Sequence, residues 1–283
     1  MRRSRSGKEV NVAEPSRGRK DWRSYDTVAG TYDRVRTEFH ALPAADLVAL
    51  LAPRAGGRVL DVGTGTGAAA LEAAKSVGPE GLVVGLDPSL EMLSRARDRG
   101  LGRVVAGKAL DLPFENGAFD AVVASFVVFL FTRYETALFD MMRVVRPGGK
   151  VGVTTWGGTE DEFRRTWREV AESFVGKDLL KDAARRASPW EERFSDPRHL
   201  HETLREAGLR QVDVQRRDYR FTWSVDDYLA GRETSAAGRF LHDMLGEASW
   251  ERFRQRVAEE FRSRFADPIG DTSDVILAVG VKT

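Results

Sequence analysis

The 283-residue chain contains no cysteine. Disulfides, thiolate nucleophiles and thiolate metal sites are therefore all excluded. Histidine is nearly as scarce: His40, His199, His201 and His242 are the only imidazoles, and no H-E-x-x-H pattern occurs. His199 and His201 stand two apart, which on a helix sends them to different faces, so they are read as surface residues and no metal site is expected. Long apolar runs are missing as well, and none could span a bilayer. Nor is there an excess of one charge, since 44 basic residues face 43 acidic ones for a net of +1. The imbalance is local. Residues 1–20 hold seven basic and two acidic side chains, which leaves the remainder at −4. A mildly acidic body is no footprint for nucleic acid. The basic stretch lacks the apolar core of a secretory signal; it is expected to be a disordered, solvated arm, and cytoplasmic residence is the expectation.

What is present is an alternation of short apolar runs and helical patterns from residue 58 onward, which predicts an α/β fold on a mainly parallel sheet. The strands are expected at 58–63, 81–87, 103–107, within 118–131, and at 150–156. Helices are expected at 68–78, at 89–100 with Ser89 as N-cap, and at 134–149, the last stopped by Pro147 and two glycines. After Trp156 the rhythm changes. Phe163, Trp167, Val170 and Phe174 mark one face of a helix over 160–174, and Trp250, Phe253, Val257, Phe261 and Phe265 another over 249–265. These aromatic rows are expected to pack on the sheet domain, some of them lining a pocket. A helix at 196–209, a strand at 211–223 and a final strand at 273–283 complete the pattern. The organisation expected is an arm (1–20), an N-terminal helical cover (21–56) and one domain (57–283), with helical lid insertions at about 157–193 and 224–270.

The stretch "VLDVGTGTGAAA" (59–70) follows a strand and opens a helix, the context of a ligand-binding glycine loop. Read from Gly63, it satisfies G-x-G-x-x-[GA] through Gly65 and Ala68, a dinucleotide pattern. Read with Asp61, it is D-x-G-x-G-x-G. Asp87 ends the second strand 20 residues after Gly67, where a carboxylate accepts ribose hydroxyls of either kind of ligand. Asp61, Asp87 and Asp111, at or near strand ends, suit a ligand that carries an amino group and a sulfonium, whereas a pyrophosphate would be repelled there. A Tyr-x-x-x-Lys pair, expected of a nicotinamide-dependent reductase, is absent.

In "VLDVGTGTG", "VVGLDPSLEMLSRAR", "ALDLPFENGAFDAVVAS" and "MMRVVRPGGKVGVTTW", in this order over residues 58–156, the sequence resembles a class I S-adenosylmethionine-dependent methyltransferase of the group that includes the quinone-biosynthesis enzymes and many natural-product enzymes. The resemblance implies a Rossmann-like, seven-stranded, mostly parallel sheet of order 3-2-1-4-5-7-6. The implied cofactor is S-adenosyl-L-methionine, leaving as S-adenosyl-L-homocysteine. Gly63, Thr64, Gly65 and Gly67 would pass beneath its methionine part, Asp87 would hold the ribose, and Pro88 and Met92 would pack by the adenine. Asp111 and the Leu112 N–H would read the adenine edge, with Ser125 beside the amino-acid end. The segment 22–40 resembles the helix that covers the cofactor in such enzymes, and Tyr25, Tyr32 and Arg36 are the candidate contacts from it.

The resemblance would also put Phe126 next to the transferred methyl; together with Phe129, Trp156 and Trp223 near strand ends, it suggests a largely apolar or aromatic small-molecule acceptor, methylated on oxygen or carbon. No Asp/Asn-Pro-Pro-Tyr/Phe stretch follows strand four, which speaks against nucleobase N-methylation. No catalytic base is identified; His40 and His242 lie in the cover and lid, where a lone histidine is expected to be solvated. A relative that binds the cofactor without transferring methyl, as a cyclase or partner-binding protein, would keep the same motifs. Partners beyond a small acceptor are not expected, apart from a second copy in a homodimer.

Overall fold

The computed structural model describes residues 21–283, so the basic arm at 1–20 lies outside the described residues. Helix α1 (Ala29–Leu51) leads into β1 (Arg58–Val62), α2 (Ala68–Val77), β2 (Leu82–Asp87), α3 (Leu90–Asp98), β3 (Val104–Ala106), β4 (Phe119–Ser125), α4 (Tyr134–Val144) and β5 (Val145–Trp156). Helices α5 (Glu162–Val175), α6 (Lys177–Ala187), α7 (Glu191–Phe194) and α8 (Pro197–Glu206) then precede β6 (Leu209–Trp223). Finally α9 (Val225–Glu233) and α10 (Ala236–Arg264) lead into β7 (Ile269–Lys282).

The seven strands form one sheet of order β3-β2-β1-β4-β5-β7-β6. The first five are parallel, and β7 runs antiparallel to both β5 and β6. Strands β1, β2 and β4 read as continuous apolar runs because helices cover both faces of a parallel sheet. Leu60, Leu86 and Val122 are accordingly sealed in the main core. Local signals set the helix starts. The Ser89 hydroxyl accepts the Met92 N–H (3.1 Å), Asp161 accepts the Arg164 N–H (2.6 Å) and Ser224 accepts the Asp227 N–H (3.1 Å), each satisfying a donor that the first helical turn leaves unpaired. α4 stops at Val144, before Pro147, and residues 145–149 already belong to β5.

The aromatic rows correct one expectation. Phe163, Trp167 and Val170 of α5 meet Trp250, Phe253, Val257 and Phe261 of α10 in a second hydrophobic core, with Val225, Tyr228 and Leu229 of α9. Trp167 packs edge-on against Phe253 at 5.5 Å. The helices inserted around β6 thus bury their stripes chiefly in one another, because two amphipathic faces close on each other more completely than on a sheet face already covered. α10 is broken at Gly246, whose φ of +66° is non-helical.

Candidate active site

β1 carries Asp61 and then the glycine loop to the edge where the parallel strands end, the side on which open α/β sheets bind ligands. Gly63, Gly65 and Gly67 have φ of +72°, +52° and +90°, a region that side-chain-bearing residues avoid. A Cβ on Gly63 would fall 2.5 Å from Val127 Cγ2, whereas one on Gly65 would meet nothing within 4 Å. Gly63 therefore lies against protein and Gly65 faces open space. The Gly63 and Thr64 N–H groups both donate to the Leu86 carbonyl (2.7 and 3.0 Å), which ties the loop to β2. Thr64 turns its hydroxyl inward onto Asp61 Oδ2 (2.7 Å). The Thr66 and Thr37 hydroxyls, 2.7 Å apart, fasten the loop to α1.

Two carboxyls stand at this loop. Asp61 is fully enclosed, and burial pushes its pKa up to about 7 against the bond from Thr64. Its Oδ1 is sealed from solvent without a hydrogen-bond partner, while the Ala70 N–H lies near enough to the carboxyl to oppose the rise in pKa. Asp87 accepts the Gly65 N–H and the Ser89 N–H, both at 2.9 Å. Burial raises it to about 6, opposed by those two bonds and helped by nearby Asp26. Asp26 itself accepts the Ser89 hydroxyl at 2.6 Å and so docks the N-terminal cover onto α3. An under-satisfied carboxyl, a second one with lone pairs to spare and an open glycine suit a ligand bearing hydroxyl donors and positive charge. The residues present therefore fit S-adenosylmethionine and disfavour a pyrophosphate.

Further along the edge, Pro88 is exposed and Met92 buried at the start of α3. At the adenine edge, the expectation for the Leu112 N–H needs correcting. β3 ends at Ala106, and Asp111 is exposed in the turn beyond it. The Leu112 N–H is already taken by Asp140 Oδ2 at 2.5 Å, because Asp140 and Arg143 of α4 pin this turn from below. Arg143 donates to the Leu112 and Phe114 carbonyls at 2.8 and 2.6 Å. At the end of β4, Ser125 and Thr154 share a hydroxyl contact of 3.0 Å. Phe126 follows with φ of +54°, its N–H donating to Thr154 Oγ1 at 2.9 Å. Such a left-handed phenylalanine persists only where its surroundings hold it.

Next to these residues lies a cavity of about 280 Å³. Tyr25, Tyr32, Arg36, Phe126, Phe129 and Trp156, all singled out in the sequence, line it; the glycine loop, Asp87, Asp111, Leu112 and Ser125 do not. The proposed cover contacts and acceptor aromatics thus share one chamber. Trp223 is not in the wall: it stands behind Phe39, ring centres 5.7 Å apart. The reason is β6, whose end lies one strand farther out than β5 and β7, so that Phe39 of α1 comes between. Phe126 and Trp156 stack at 4.1 Å.

His40, expected to be solvated, is buried in this wall, 4.9 Å from the Phe126 ring, with Nδ1 3.2 Å from the Tyr32 hydroxyl. Burial, and secondarily Arg36, drops its pKa to about 3. It stays neutral at ordinary pH and is a weak proton acceptor. Tyr32, Arg36 and His40 recur every four residues, so one face of α1 presents all three; that spacing is the signal by which His40 could have been assigned. His242, in contrast, is half-exposed and pairs with Glu247 at 3.1 Å. Arg164, Glu191 and Arg232, brought by the inserted helices, also line the cavity and carried no sequence motif. Among the described residues no group of three or more acids and imidazoles could hold a metal, and no helix is long and apolar enough to cross a membrane.

Residues 59–149 match a family model described as a methyltransferase domain. The demethylmenaquinone methyltransferase of Geobacillus kaustophilus is 32% identical over 222 residues, 70% of this chain and 91% of that protein. Nocamycin O-methyltransferase of Saccharothrix syringae is 40% identical over 136 residues, 46% of this chain. That match spans 49% of the nocamycin enzyme, about half its length. Among solved structures, the phosphoethanolamine N-methyltransferase 2 of Haemonchus contortus with S-adenosyl-L-methionine superposes with a TM-score of 0.53 at 18% identity, covering 94% of this chain and 60% of that one. At that identity the likeness speaks for the fold alone. With the sheet order, the acid-flanked glycine loop and a relative matched over nearly its whole length, the chain belongs to the class I S-adenosylmethionine-dependent methyltransferases, in the group related to those of quinone and menaquinone biosynthesis.

Proposed function

We propose that the enzyme methylates a small aromatic acceptor on oxygen or carbon, seated in the cavity walled by Phe126, Phe129 and Trp156. One observation carries this reading: a 280 Å³ chamber with stacked aromatics opens beside the end of β4, next to the glycine loop. When bound, S-adenosylmethionine supplies a methyl group activated by its sulfonium. Gly63, Thr64, Gly65 and Gly67 form its bed, Asp87 takes the ribose hydroxyls, and Ser125 stands by the amino-acid end. Pro88 and Met92 flank the adenine. Tyr25 and Tyr32 close the cover over the cofactor, with Arg36 reaching its carboxylate. The site would hold the acceptor's nucleophilic atom in line with that methyl, so that S-adenosylhomocysteine would leave and the acceptor's proton would pass to solvent.

The protein's part is alignment and exclusion of water. Phe126, fixed by Thr154, and Trp156 hold an acceptor ring flat against the strand ends, while Phe129 and Leu130 limit its reach. His40 holds the Tyr32 hydroxyl and keeps the wall uncharged.

The test is turnover: purified enzyme with S-adenosylmethionine and a panel of phenols, enols, aromatic acids, nucleosides and peptides, followed by mass spectrometry of products. Methylated aromatics are expected, with KM raised about tenfold or more in Trp156→Ala on loss of a buried aromatic contact. Methylation confined to nucleosides or peptides would overturn the reading.

A further inference from the structure

The lid end of the cavity is unlike its aromatic wall. Arg164 from α5, Arg232 from α9 and Arg36 from α1 all line it, and Glu191 of α7 is the one acidic residue among its described lining residues. Arg164 has a partner, Asp161, at 3.2 Å. Arg36 donates to the Gly231 carbonyl at 3.3 Å and lies 5.6 Å from the Phe39 ring. Arg232 lies 5.1 Å over the Trp167 ring, and its Nε is sealed from solvent with no hydrogen-bond partner. Neither Arg36 nor Arg232 forms an ion pair with a carboxylate among the described residues.

Asp161 and Glu191 both act on Arg232, and Asp271 lies near the same arginines; burial raises the pKa of Glu191 and of Asp271 while the arginines oppose that shift. Burial and the mutual repulsion of the arginines lower Arg36 to about 10, and burial lowers Arg232. The Tyr228 hydroxyl, close by, is also enclosed without a partner. With Arg36 assigned to the cofactor's carboxylate, Arg232, its Nε enclosed without a partner, is the guanidinium that an entering anion would satisfy, beside Arg164. A guanidinium offers a planar fork that matches a carboxylate, and Arg232 is braced for it by Trp167.

We propose that the acceptor carries a carboxylate, bound by Arg164 and Arg232 at the lid end while its ring lies on Phe126 and Trp156. The proposal rests on the assignment of this cavity to the acceptor, and it narrows the acceptor from an aromatic molecule to an aromatic acid. Such a ligand enters already ionised and is oriented by its charged end, with the apolar end toward the strand edge.

The test uses the full chain saturated with S-adenosylhomocysteine and calorimetric titration with three matched pairs: benzoate and benzamide, cinnamate and cinnamamide, naphthalene-2-carboxylate and its amide. At least one acid is expected to bind about tenfold or more tighter than its amide, the scale of a charged hydrogen bond. That preference should shrink to about threefold or less in Arg232→Gln and in Arg164→Gln. Arg164→Gln, at a side chain 28% exposed and so less deeply enclosed than Arg232, keeps the test open if the Arg232 variant fails to fold.

Equal binding of acid and amide in every pair, no saturable binding of any acid at millimolar concentration, or a preference that survives both substitutions would each overturn the proposal. So would variants that lose S-adenosylhomocysteine but keep 5′-methylthioadenosine, which lacks the amino-acid end, because the arginines would then hold the cofactor's carboxylate. Failure of the wild-type chain to bind S-adenosylhomocysteine at all would instead strike the broader reading of the site.

Discussion

Replacing Asp87 by asparagine keeps the side chain's shape and removes its charge. In the folded protein Asp87 receives the Gly65 and Ser89 N–H groups at 2.9 Å each, one on each oxygen. The carboxamide retains one acceptor and turns an NH₂ toward the other N–H, so one hydrogen bond to a charged group is lost, about 1.5–3 kcal/mol. Against this stands the relief of a buried charge, and the net change in stability is expected to stay within about 1 kcal/mol. Binding has no such offset. Loss of the charged acceptor for the ribose weakens S-adenosylhomocysteine by about 10- to 150-fold.

The pH profile sharpens the test. Asp87 is raised to about 6 from an ordinary value of about 4. Between these values the folded protein holds a proton that the unfolded chain has lost, so the ligand-free protein loses stability from this group as pH rises through that interval. The ligand's hydroxyls require the ionised form, so affinity should fall by up to about tenfold per pH unit below about 6. Asp61, raised to about 7, adds a second contribution that the Asp87→Asn variant leaves in place. Calorimetry at pH 5 to 8, with thermal unfolding alongside, reads both quantities. An affinity within threefold of wild type in a folded Asp87→Asn variant, or a wild-type affinity flat across this range, would refute the reasoning.

Other substitutions separate scaffold from site. Gly63→Ala should destabilise by about 2–4 kcal/mol, since the methyl both strains the backbone and strikes Val127. Gly65→Ala should cost only about 1–2 kcal/mol yet abolish detectable cofactor binding, because its methyl enters the open side of the loop; thermal melts and calorimetry distinguish the two, and equal behaviour would contradict the geometry. Thr154→Val removes one of two acceptors of the Phe126 N–H, which keeps the Thr154 carbonyl at 3.1 Å; stability should fall by about 1 kcal/mol and kcat/KM with it, and an unchanged kcat/KM would show that the left-handed Phe126 is not set by this hydroxyl. Arg239 donates to the Trp22 carbonyl at 2.9 Å and lies 3.9 Å over the Tyr25 ring. Arg239→Leu should therefore loosen residues 21–28, seen as faster limited proteolysis there and a raised KM for S-adenosylmethionine, while unaltered cleavage would count against that tether.

The sequence made the sheet legible because its parallel strands are buried on both faces and so appear as unbroken apolar runs, and because the glycine loop and Ser89 mark their own turns. Tyr25, Tyr32 and Arg36, singled out from the segment they occupy, do line the cavity. The fate of the Leu112 N–H is not legible locally because it depends on Asp140, 28 residues away on another element. The same limitation hid Arg164, Glu191 and Arg232: each sits on a different helix, and only tertiary packing brings them to one chamber. Trp223 has the right chemistry for the wall, but Phe39 occupies the place between. Burial of His40 goes with its four-residue spacing from Tyr32 and Arg36 on α1, which puts it on the face that lines the cavity.

The second core formed by α5, α9 and α10 has a consequence for how such an enzyme can diversify. Because Trp167, Phe253 and Phe261 are satisfied within the lid, residues on its inner surface, Arg164 and Arg232 among them, can be exchanged without disturbing the packing beneath the glycine loop. The inserted helices thus hold together on a hydrophobic nucleus of their own, while Phe126 and Phe129 share the nucleus that carries the glycine loop, so that only the arginine-bearing side of the cavity can be rewritten alone.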